Sequence, residues 1–455
     1  ASAKPAHSRP DKYVSKGLII AAPASGSGKT TITLGLLRAL RRKGIDVASA
    51  KVGPDYIDSA FHAAATGRPC VNLDSWAMRP ETLAAALSPE PALTIVEGVM
   101  GLFDGAHLGS APAPLADGST ASLARLTGWP VLLVVDAARQ AQSVAALAGG
   151  FARFDPDVRL AGVILNKVGS EKHEAMLRQA LAKAGHAVLG AVRSDTQIAR
   201  PSRHLGLVQA GEHPDLEGFL ETAADRMEND LALDAIRDIA SPVSTGFGTG
   251  TASTPLPPLG QRIAIAQDAA FAFTYPHVLD GWRHAGAELS LFSPLADEAP
   301  APGADAVYLP GGYPELHAGR LAEAGRFLDG LRTAAGDGAK IYGECGGYMV
   351  LGAALTDADG TSHRMAGLLP HETSFAKPKR HLGYRAANML ADTPLGPAGS
   401  LWRGHEFHYA ATVGATGSAP LFRITDASGS DLGEIGARIG AVFGSFMHLI
   451  DRADA

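Results

Sequence analysis

The chain has 455 residues, a length for which about two or three domains are expected. Its hydrophobic content of 46% and charged content of 19% are ordinary for a globular protein with full cores, and a net charge of −6 does not favour a nucleic-acid partner. Two cysteines, Cys70 and Cys345, do not make a disulfide framework. Residues 1–16 contain no apolar run of a secretory signal, and no stretch approaches a membrane span. We therefore expect a cytoplasmic protein with a reduced Cys345 and no membrane partner.

Short apolar runs alternate with helix-length segments through the first half of the chain. The runs are GLIIAA (17–22), VASAKV (47–52), ALTIVEG (92–98), VLLVVD (131–136), LAGVILN (160–166), AVLGAV (187–192) and LGLV (205–208). Runs of this length, separated by helices, are typical of a parallel sheet covered on both faces. The sequence therefore predicts a doubly wound α/β domain over residues 1–240.

A glycine-rich loop follows the first predicted strand, where AAPASGSGKTT opens a leucine-faced helix. A strand, such a loop, Lys-Thr and a helix are the context of a phosphate-binding loop, although Pro23 stands where the first glycine is expected. The backbone N–H groups predicted to cradle the phosphates of ATP are those of Ser25, Gly26, Ser27 and Gly28. Lys29 is expected to reach the β and γ oxygens, and Thr30 to hold Mg²⁺.

Charged residues follow two more predicted strands. Lys51 and Asp55 lie in AKVGPDYIDSAFH, and Glu97 and Asp104 lie in TIVEGVMGLFDG. Because ligands bind at the carboxyl ends of strands in open α/β sheets, we expect Lys51 at the nucleotide and the three carboxylates at Mg²⁺. Asp55 and Asp104 are equally explained as turn formers, since each neighbours Gly or Pro.

Two later segments add weaker candidates for the nucleotide site. Asn166 is a candidate for binding an adenine edge. Arg200, Arg203 and His204, in ARPSRHLGL, offer positive charge for phosphates or carboxylates. A solvated basic loop is the alternative for these three residues.

A stretch rich in Pro, Gly, Ser and Thr, residues 241–260, has the composition of a linker. The alternation of apolar runs and helices resumes after it, which predicts a second doubly wound parallel-sheet domain over residues 261–455. Its apolar runs are RIAIAQD (262–268), ELSLF (288–292), AVYLPGG (306–312) and KIYGE (340–344).

The last of these runs leads directly into Cys345, in KIYGECGGYMVL. A strand followed by G-x-C-G-G predicts a sharp strand-to-helix turn, the geometry that exposes a nucleophile in hydrolase elbows. Helix dipoles at such a position are expected to lower the pKa of the thiol. A buried core cysteine is the alternative.

A glutamine-hydrolysing site also needs a base and an oxyanion hole. His448, in AVFGSFMHLI, is the candidate base. The backbone N–H groups of Gly312, in YLPGGYPE, and Gly346 are the candidate oxyanion donors.

Seven stretches together resemble one family across almost the whole chain: APASGSGKT, KVGPDYID, EGVMGLFDG, RHLGL, YLPGGYPE, GECGGYM and GHEFHY. The sequence resembles the cobyrinic acid a,c-diamide synthases of cobalamin biosynthesis. The resemblance implies an N-terminal domain similar to dethiobiotin synthetase and a C-terminal class I glutamine amidotransferase domain. It also implies ATP- and glutamine-dependent amidation of the a and c carboxylates of hydrogenobyrinate or cobyrinate, through an acyl phosphate.

The sequence departs from the wider amidotransferase pattern His-x-Glu, because His448 is followed by Leu449 and Ile450. The resemblance therefore implies a Cys–His dyad, with Glu406 as a possible substitute acid. The basic stretch FAKPKRHLGYR (375–385) is the densest candidate for docking a polyanionic substrate, with an exposed basic loop as its alternative.

Two other functions remain open at this point. A cobyric acid synthase would amidate the b, d, e and g carboxylates, and a non-enzymatic P-loop protein would carry an inactive amidotransferase domain. The sequence also leaves open whether the substrate ring holds cobalt. The oligomeric state of the protein is open too, and a homodimer is one expectation.

Overall fold

The computed structural model describes residues 16–87, 91–109, 116–194, 209–244, 247, 254–414 and 417–453. The chain forms two compact units. The described residues of 16–73, 84–104 and 119–247 form the first unit, and those of 74–83, 105–118 and 254–453 form the second. No helix in these described ranges is both long and apolar enough to cross a membrane.

In the first unit, the strands that the structure describes form one sheet. Its strands are β1 (Lys16–Ala21), β2 (Val47–Val52), β3 (Val71–Leu73), β4 (Leu93–Glu97), β5 (Val131–Asp136), β6 (Leu160–Val168), β7 (Val188–Arg193) and β8 (Ser241–Pro242). The helices before residue 245 are α1 (Lys29–Arg42), α2 (Tyr56–Thr66), α3 (Pro80–Ala86), α4 (Thr120–Thr127), α5 (Ser143–Phe154), α6 (Glu171–Lys183), α7 (Leu216–Asp230) and α8 (Leu233–Ile239).

The strand order of this sheet is β3-β2-β4-β1-β5-β6-β7, and all of these strands run parallel, while β8 pairs antiparallel with β1. The central strands carry runs of Leu, Ile and Val that are fully buried, as in Val131–Val135. Such runs suit strands covered on both faces. The predicted doubly wound fold is confirmed, and the predicted run at 205–208 lies outside the described residues.

The described residues of the second unit form three sheets. Its strands are β9 (Arg262–Ala266), β10 (Glu288–Phe292), β11 (Ala306–Leu309), β12 (Lys340–Glu344), β13 (Ala354–Thr356), β14 (Ser362–Arg364), β15 (Glu372–Ser374), β16 (His381–Met389), β17 (Leu401–His408), β18 (Ala411–Val413), β19 (Phe422–Thr425), β20 (Asp431–Ile435), β21 (Ala437–Ile439), β22 (Val442–Ser445) and β23 (His448–Arg452). Its helices after residue 254 are α9 (Pro276–His284), α10 (Ala318–Glu323), α11 (Gly325–Gly336) and α12 (Gly346–Leu351).

The central sheet of the second unit has the order β10-β9-β11-β12-β22-β21, parallel except for the β21–β22 pair. Its core includes Phe271, Val307, Phe327 and Ile341, all fully buried. Two further sheets, β14-β13-β15-β18 and β20-β19-β16-β17-β23, are mainly antiparallel. The second predicted parallel sheet is thus confirmed, and the chain adds antiparallel sheets that the sequence did not indicate.

The predicted linker, residues 241–260, contains ordered pieces. Ser241 and Pro242 pair with β1, while Leu256 and Leu259 are buried in the second unit. The domain boundaries at residues 240 and 261 remain a prediction.

Candidate active sites

The phosphate-binding loop joins β1 to α1 in the first unit. Gly26 and Gly28 have φ values of 79° and 93°, a backbone region in which glycine avoids the strain of a side chain. Gly28 directly precedes Lys29, the first residue of α1. Residues 24–26 are exposed at the loop tip, whereas Lys29 is buried. The loop therefore presents accessible backbone at a helix N-terminus, as anion binding requires.

Asn166 and Lys167, at the carboxyl end of β6, hold this loop in place. The Asn166 side-chain amide donates to the Ser27 carbonyl at 2.9 Å, and Lys167 Nζ donates to the Gly26 carbonyl at 3.2 Å. Lys167 also pairs with Asp136, the last residue of β5, at 2.6 Å. These contacts give Asn166 a loop-positioning role in the structure, while its predicted contact with an adenine edge remains a prediction.

Glu97, the last residue of β4, is the centre of a buried polar cluster beside the loop. The Thr30 hydroxyl donates to Glu97 Oε1 at 2.5 Å, and Lys51 Nζ lies 2.9 Å from the same oxygen. His62 Nε2, from α2, lies 2.6 Å from Glu97 Oε2. Lys51 also pairs with Asp58 at 3.0 Å. The structure thus brings Thr30, Lys51 and Glu97 together as predicted, and it adds two residues that the sequence did not single out.

Charge compensation keeps this cluster ionised although it is buried. Burial acts to raise the pKa of Glu97, but Lys51 and His62 outweigh it and hold that pKa below its usual value. Burial acts to lower the pKa of Lys51, but Glu97 and Asp58 raise it well above its usual value. Burial likewise opposes the charge of His62, yet Cys70 and Glu97 raise its pKa to about 10. A buried carboxylate between two cations is consistent with a fixed anionic site at the sheet edge.

Asp55 and Asp104 have the turn-forming contacts that the sequence analysis gave as the alternative to metal binding. Asp55 caps α2, since its side chain accepts from the backbone N–H groups of Ile57 and Asp58. Burial beside Asp58 raises the pKa of Asp55 to about 6. Asp104 Oδ2 accepts from the Gly101 backbone N–H at 2.8 Å. Their predicted roles at the metal remain predictions, and Arg200, Arg203 and His204 lie outside the described residues.

The donor set suits Mg²⁺, which binds oxygen ligands and uses one or two carboxylates together with phosphates. The Thr30 hydroxyl and the Glu97 carboxylate meet at the first turn of α1, beside the phosphate-binding loop. Lys29, the neighbouring cation, donates to the Met100 carbonyl. Burial lowers the pKa of Lys29, although Glu97 opposes this effect.

Cys345 in the second unit has the strained conformation of a nucleophile elbow. Its φ of 47° and ψ of −104° lie in a region that non-glycine residues rarely adopt, directly between β12 and α12. The Cys345 backbone N–H donates to the Ser445 carbonyl at 2.9 Å, which fixes the turn to β22. Close packing explains the glycines that follow, because a Cβ on Gly347 would lie 1.9 Å from the Leu309 carbonyl oxygen.

The expected lowering of the thiol pKa is not found. Burial, together with the nearby Glu315, raises the pKa of Cys345 well above its usual value. The helix that follows has only six residues, and the Gly346 backbone N–H that favours the thiolate does not outweigh the loss of hydration. Cys345 is therefore a thiol at rest and needs a base.

The remaining predicted residues of this site converge from separate elements. His448 begins β23 and packs on Gly311, where an added Cβ would lie 2.3 Å from the imidazole Cε1. A Cβ on Gly346 would lie 3.0 Å from the Gly312 backbone nitrogen, so the two predicted oxyanion donors are neighbours. Burial, with His405 and His408, holds the pKa of His448 well below its usual value. The imidazole is thus neutral, as a general base must be.

The two carboxylates near this site have different partners. Glu406, the substitute acid that the sequence suggested, pairs with Arg385 at 2.7 Å. Glu344, which the sequence did not single out, lies 3.9 Å from His448 Nδ1 through its Oε2 atom. Its position at the end of a buried strand, next to the nucleophile, was the available signal.

A phosphate-binding loop in one unit and a cysteine elbow with a histidine in the other define the class of glutamine-dependent amide-forming ligases. Two family models match the chain: a CobQ/CobB/MinD/ParA nucleotide binding domain over residues 18–208 and a CobB/CobQ-like glutamine amidotransferase domain over residues 262–455. The chain belongs to the hydrogenobyrinate a,c-diamide synthase family.

The chain is similar over nearly its full length to proteins of this family. A hydrogenobyrinate a,c-diamide synthase of Brucella anthropi is 57% identical, with 96% of this chain and 98% of the relative covered. One from Rhizobium meliloti is 56% identical, with 96% and 99% covered. Among solved structures, PurLQS from Thermotoga maritima matches 41% of this chain and 86% of that chain at 20% identity, with a TM-score of 0.29.

Proposed function

We propose that this enzyme transfers the amide nitrogen of glutamine to the a and c carboxylates of hydrogenobyrinate, with cobyrinate as the cobalt-containing alternative, and hydrolyses ATP in doing so. The observation that carries the proposal is the strained Cys345 at the start of α12, with His448 on Gly311 and the paired backbone of Gly312 and Gly346. The naming of the relatives supports the substrate.

The second unit supplies ammonia. The Cys345 sulfur attacks the side-chain amide carbon of glutamine while His448 takes the thiol proton. Oxyanion charge then develops next to the backbone N–H groups of Gly312 and Gly346. The C–N bond breaks, His448 returns the proton to the departing ammonia, and water hydrolyses the thioester to glutamate.

The first unit activates the substrate. An oxygen of the substrate carboxylate attacks the γ-phosphorus of ATP, the bond to ADP breaks, and ammonia then displaces phosphate from the acyl phosphate. Lys29, the first residue of α1 after the loop, and Lys51, paired with Glu97, are the cations that we assign to the phosphates and to the transferred phosphoryl group. Thr30 and Glu97 would hold Mg²⁺, which neutralises phosphate charge. Each amide formed thus consumes one ATP and one glutamine.

A basic stretch supports docking of a polyanionic substrate. Residues 376–380, which include Lys377, Lys379 and Arg380, are exposed in the second unit. Arg385, in contrast, is held inside by Glu406. We assign the exposed cations to substrate docking, and a cytoplasmic location, where ATP and glutamine are available, belongs to the same proposal.

The test is a product assay with hydrogenobyrinate and cobyrinate in parallel, each with ATP, Mg²⁺ and glutamine. The proposal expects a diamide with both new amides on the a and c side chains, identified by fragmentation mass spectrometry. Amides at the b, d, e or g positions would instead identify a cobyric acid synthase. If neither hydrogenobyrinate nor cobyrinate is amidated, the result would contradict the proposed function.

A further inference from the structure

The place where triad-type amidotransferases carry an orienting acid is apolar in this chain. That position, two residues after His448, is Ile450, which is fully buried. The Ile450 backbone carbonyl accepts from His277 Nε2 at 3.0 Å. The strand of the base therefore offers no carboxylate there, and an imidazolium formed during the reaction must find its counter-charge elsewhere.

Glu344 brings a carboxylate to the same histidine nitrogen from a neighbouring strand. It is the last residue of β12, directly before Cys345, and only 2% of its surface is exposed. Its Oε2 atom lies 3.9 Å from His448 Nδ1, and its Oε1 atom accepts from the Leu449 backbone N–H at 3.1 Å. The Glu344 carboxylate is thus hydrogen-bonded to Leu449, the residue that follows His448.

Two tyrosines hold this carboxylate in one orientation. The Tyr308 hydroxyl, on β11, donates to Oε2 at 2.8 Å, and the Tyr342 hydroxyl, on β12, donates to Oε1 at 2.8 Å. Their rings stack with centroids 5.8 Å apart. With Leu449, both carboxylate oxygens are hydrogen-bonded, which is how proteins retain a buried acid. Tyr275 and Trp282 line the same small cavity as Glu344 and the two tyrosines.

The alternative acid is already engaged. Glu406 accepts from Arg385 Nε at 2.7 Å, so its charge is balanced within the pair. Glu344, in contrast, lies within 3.9 Å of His448 Nδ1.

We propose that Glu344 is the positioning residue of the glutaminase site: its carboxylate orients His448 through Nδ1 and stabilises the imidazolium formed when His448 takes the Cys345 proton. This inference rests on the glutaminase half of the proposed function. The proton stays on the imidazole until it passes to the leaving ammonia, and Glu344 itself takes none, as in triads where the acid acts through the histidine.

The charge states of the resting site fit this role. Burial raises the pKa of Glu344 to about 7, although Tyr342, Tyr308 and the Leu449 N–H oppose the rise. His448 is neutral at rest, so the ion pair forms only as the reaction proceeds. Because an acid is an anion above its pKa, the supporting carboxylate is present above about pH 7 and is lost below it. The acidic limb of the glutaminase profile should therefore lie near neutrality.

The test compares Glu344→Gln, Glu344→Asp and Glu406→Gln in the full-length enzyme. Glu344→Gln keeps the shape and removes the charge, so kcat for glutamine hydrolysis should fall on the order of 100-fold with little change in KM. Its acidic limb should move to lower pH, since protonation of Glu344 no longer limits the rate. Glu344→Asp keeps the charge and should retain clearly more kcat than Glu344→Gln. Amidation with free ammonium should continue in all three variants.

The outcomes separate this inference from the proposed function. Wild-type kcat and an unshifted acidic limb in Glu344→Gln would overturn the positioning role, as would a selective glutaminase loss in Glu406→Gln instead. If the wild-type enzyme does not amidate the substrate with free ammonium, the result would count against the proposed function. The comparison of glutaminase rates among the variants would still test the role of Glu344. If Glu344→Gln does not fold, Tyr308→Phe takes its place. Removal of that hydroxyl donor should raise the pKa of Glu344 and move the acidic limb to higher pH, whereas an unmoved limb would overturn the role.

Discussion

At the scale of residues, each candidate site has a buried carboxylate at the end of a strand. Glu97 ends β4 and Glu344 ends β12, and each is buried at the carboxyl edge of its sheet. The sequence indicated Glu97 because it ends an apolar run, and ligands bind at the carboxyl ends of strands in open α/β sheets. Glu344 stands in an equally apolar run, but its partner His448 is 104 positions later in the sequence. Only the fold shows that such a pair meets.

Replacing Glu97 by Gln tests its predicted role at the metal. The change removes the anionic ligand, so we expect a higher Mg²⁺ requirement and at least a tenfold lower turnover, a loss of ~1.4 kcal/mol in transition-state stabilisation. It also leaves Lys51 and His62 with one fewer anion, so the melting temperature should fall. Titration of Mg²⁺ and ATP against amidation measures the first effect.

Asp104→Asn is the matched control for this titration. The Asp104 carboxylate accepts from the Gly101 backbone N–H in the turn after β4. Because Asp104→Asn weakens that turn, it should impair amidation while leaving ATP binding nearly intact. An unchanged Mg²⁺ dependence in Glu97→Gln would exclude Glu97 as a metal ligand.

At the scale of elements, most of the parallel strands were predictable, whereas the antiparallel strands and the short parallel strands β3 and β22 were not. Runs such as Val131–Asp136 and Glu288–Phe292 begin and end where the sequence placed them, because strands of parallel sheets are marked by apolar runs. β3 has three residues, and β16 is largely half-buried with mixed polarity, so neither carries such a signal. Three-dimensional pairing, rather than local composition, fixes these strands.

The turn after β11 provides a prediction at this scale. Gly311→Ala should place its Cβ against the His448 imidazole, 2.3 Å from Cε1, and displace the ring. Because misplacement of a catalytic group by about 1 Å can cost on the order of 100-fold, glutamine hydrolysis should fall by that factor while ammonium-dependent amidation continues. Steady-state assays with the two nitrogen sources measure this split.

Gly336→Ala supplies the control. Gly336 ends α11, and a Cβ there would meet no atom within 4 Å, so both activities should stay at the wild-type level. Equal glutaminase rates in the two alanine variants would mean that His448 does not need the space above Gly311.

At the scale of the whole molecule, the two units do not follow the order of the sequence. Residues 74–83 precede the predicted linker, yet they belong to the second unit. There Nε and Nη2 of Arg79 both donate to Oδ1 of Asp451 in β23, at 3.1 and 2.7 Å, and the Asp451 side chain is fully buried. Composition marks a linker but does not show that an earlier segment joins the later unit, so this part of the architecture could not be predicted from the sequence.

The Arg79–Asp451 pair predicts a stability effect. Asp451→Asn removes the fully buried anion of Arg79 and leaves Glu81, at 3.3 Å, as a charged partner, so the free energy of unfolding of the second unit should fall by about 3 kcal/mol. The exposed pair Arg332–Asp329 is the control, since Asp329→Asn should change that energy by less than about 1 kcal/mol. Denaturant titration of both variants measures the difference. Equal midpoints would show that the buried pair does not contribute to stability.

The central claim is that ammonia is made at Cys345 and used at the nucleotide site. Its most direct test is the rate of amidation of hydrogenobyrinate with glutamine and with free ammonium, measured in Cys345→Ser and Lys29→Ala. Cys345→Ser should lose the glutamine-dependent rate and keep the ammonium-dependent one, because only the source of ammonia is removed. Lys29→Ala should lose both rates, since the acyl phosphate no longer forms. Loss of both rates in Cys345→Ser, or a near-normal ammonium-dependent rate in Lys29→Ala, would contradict the two-site account.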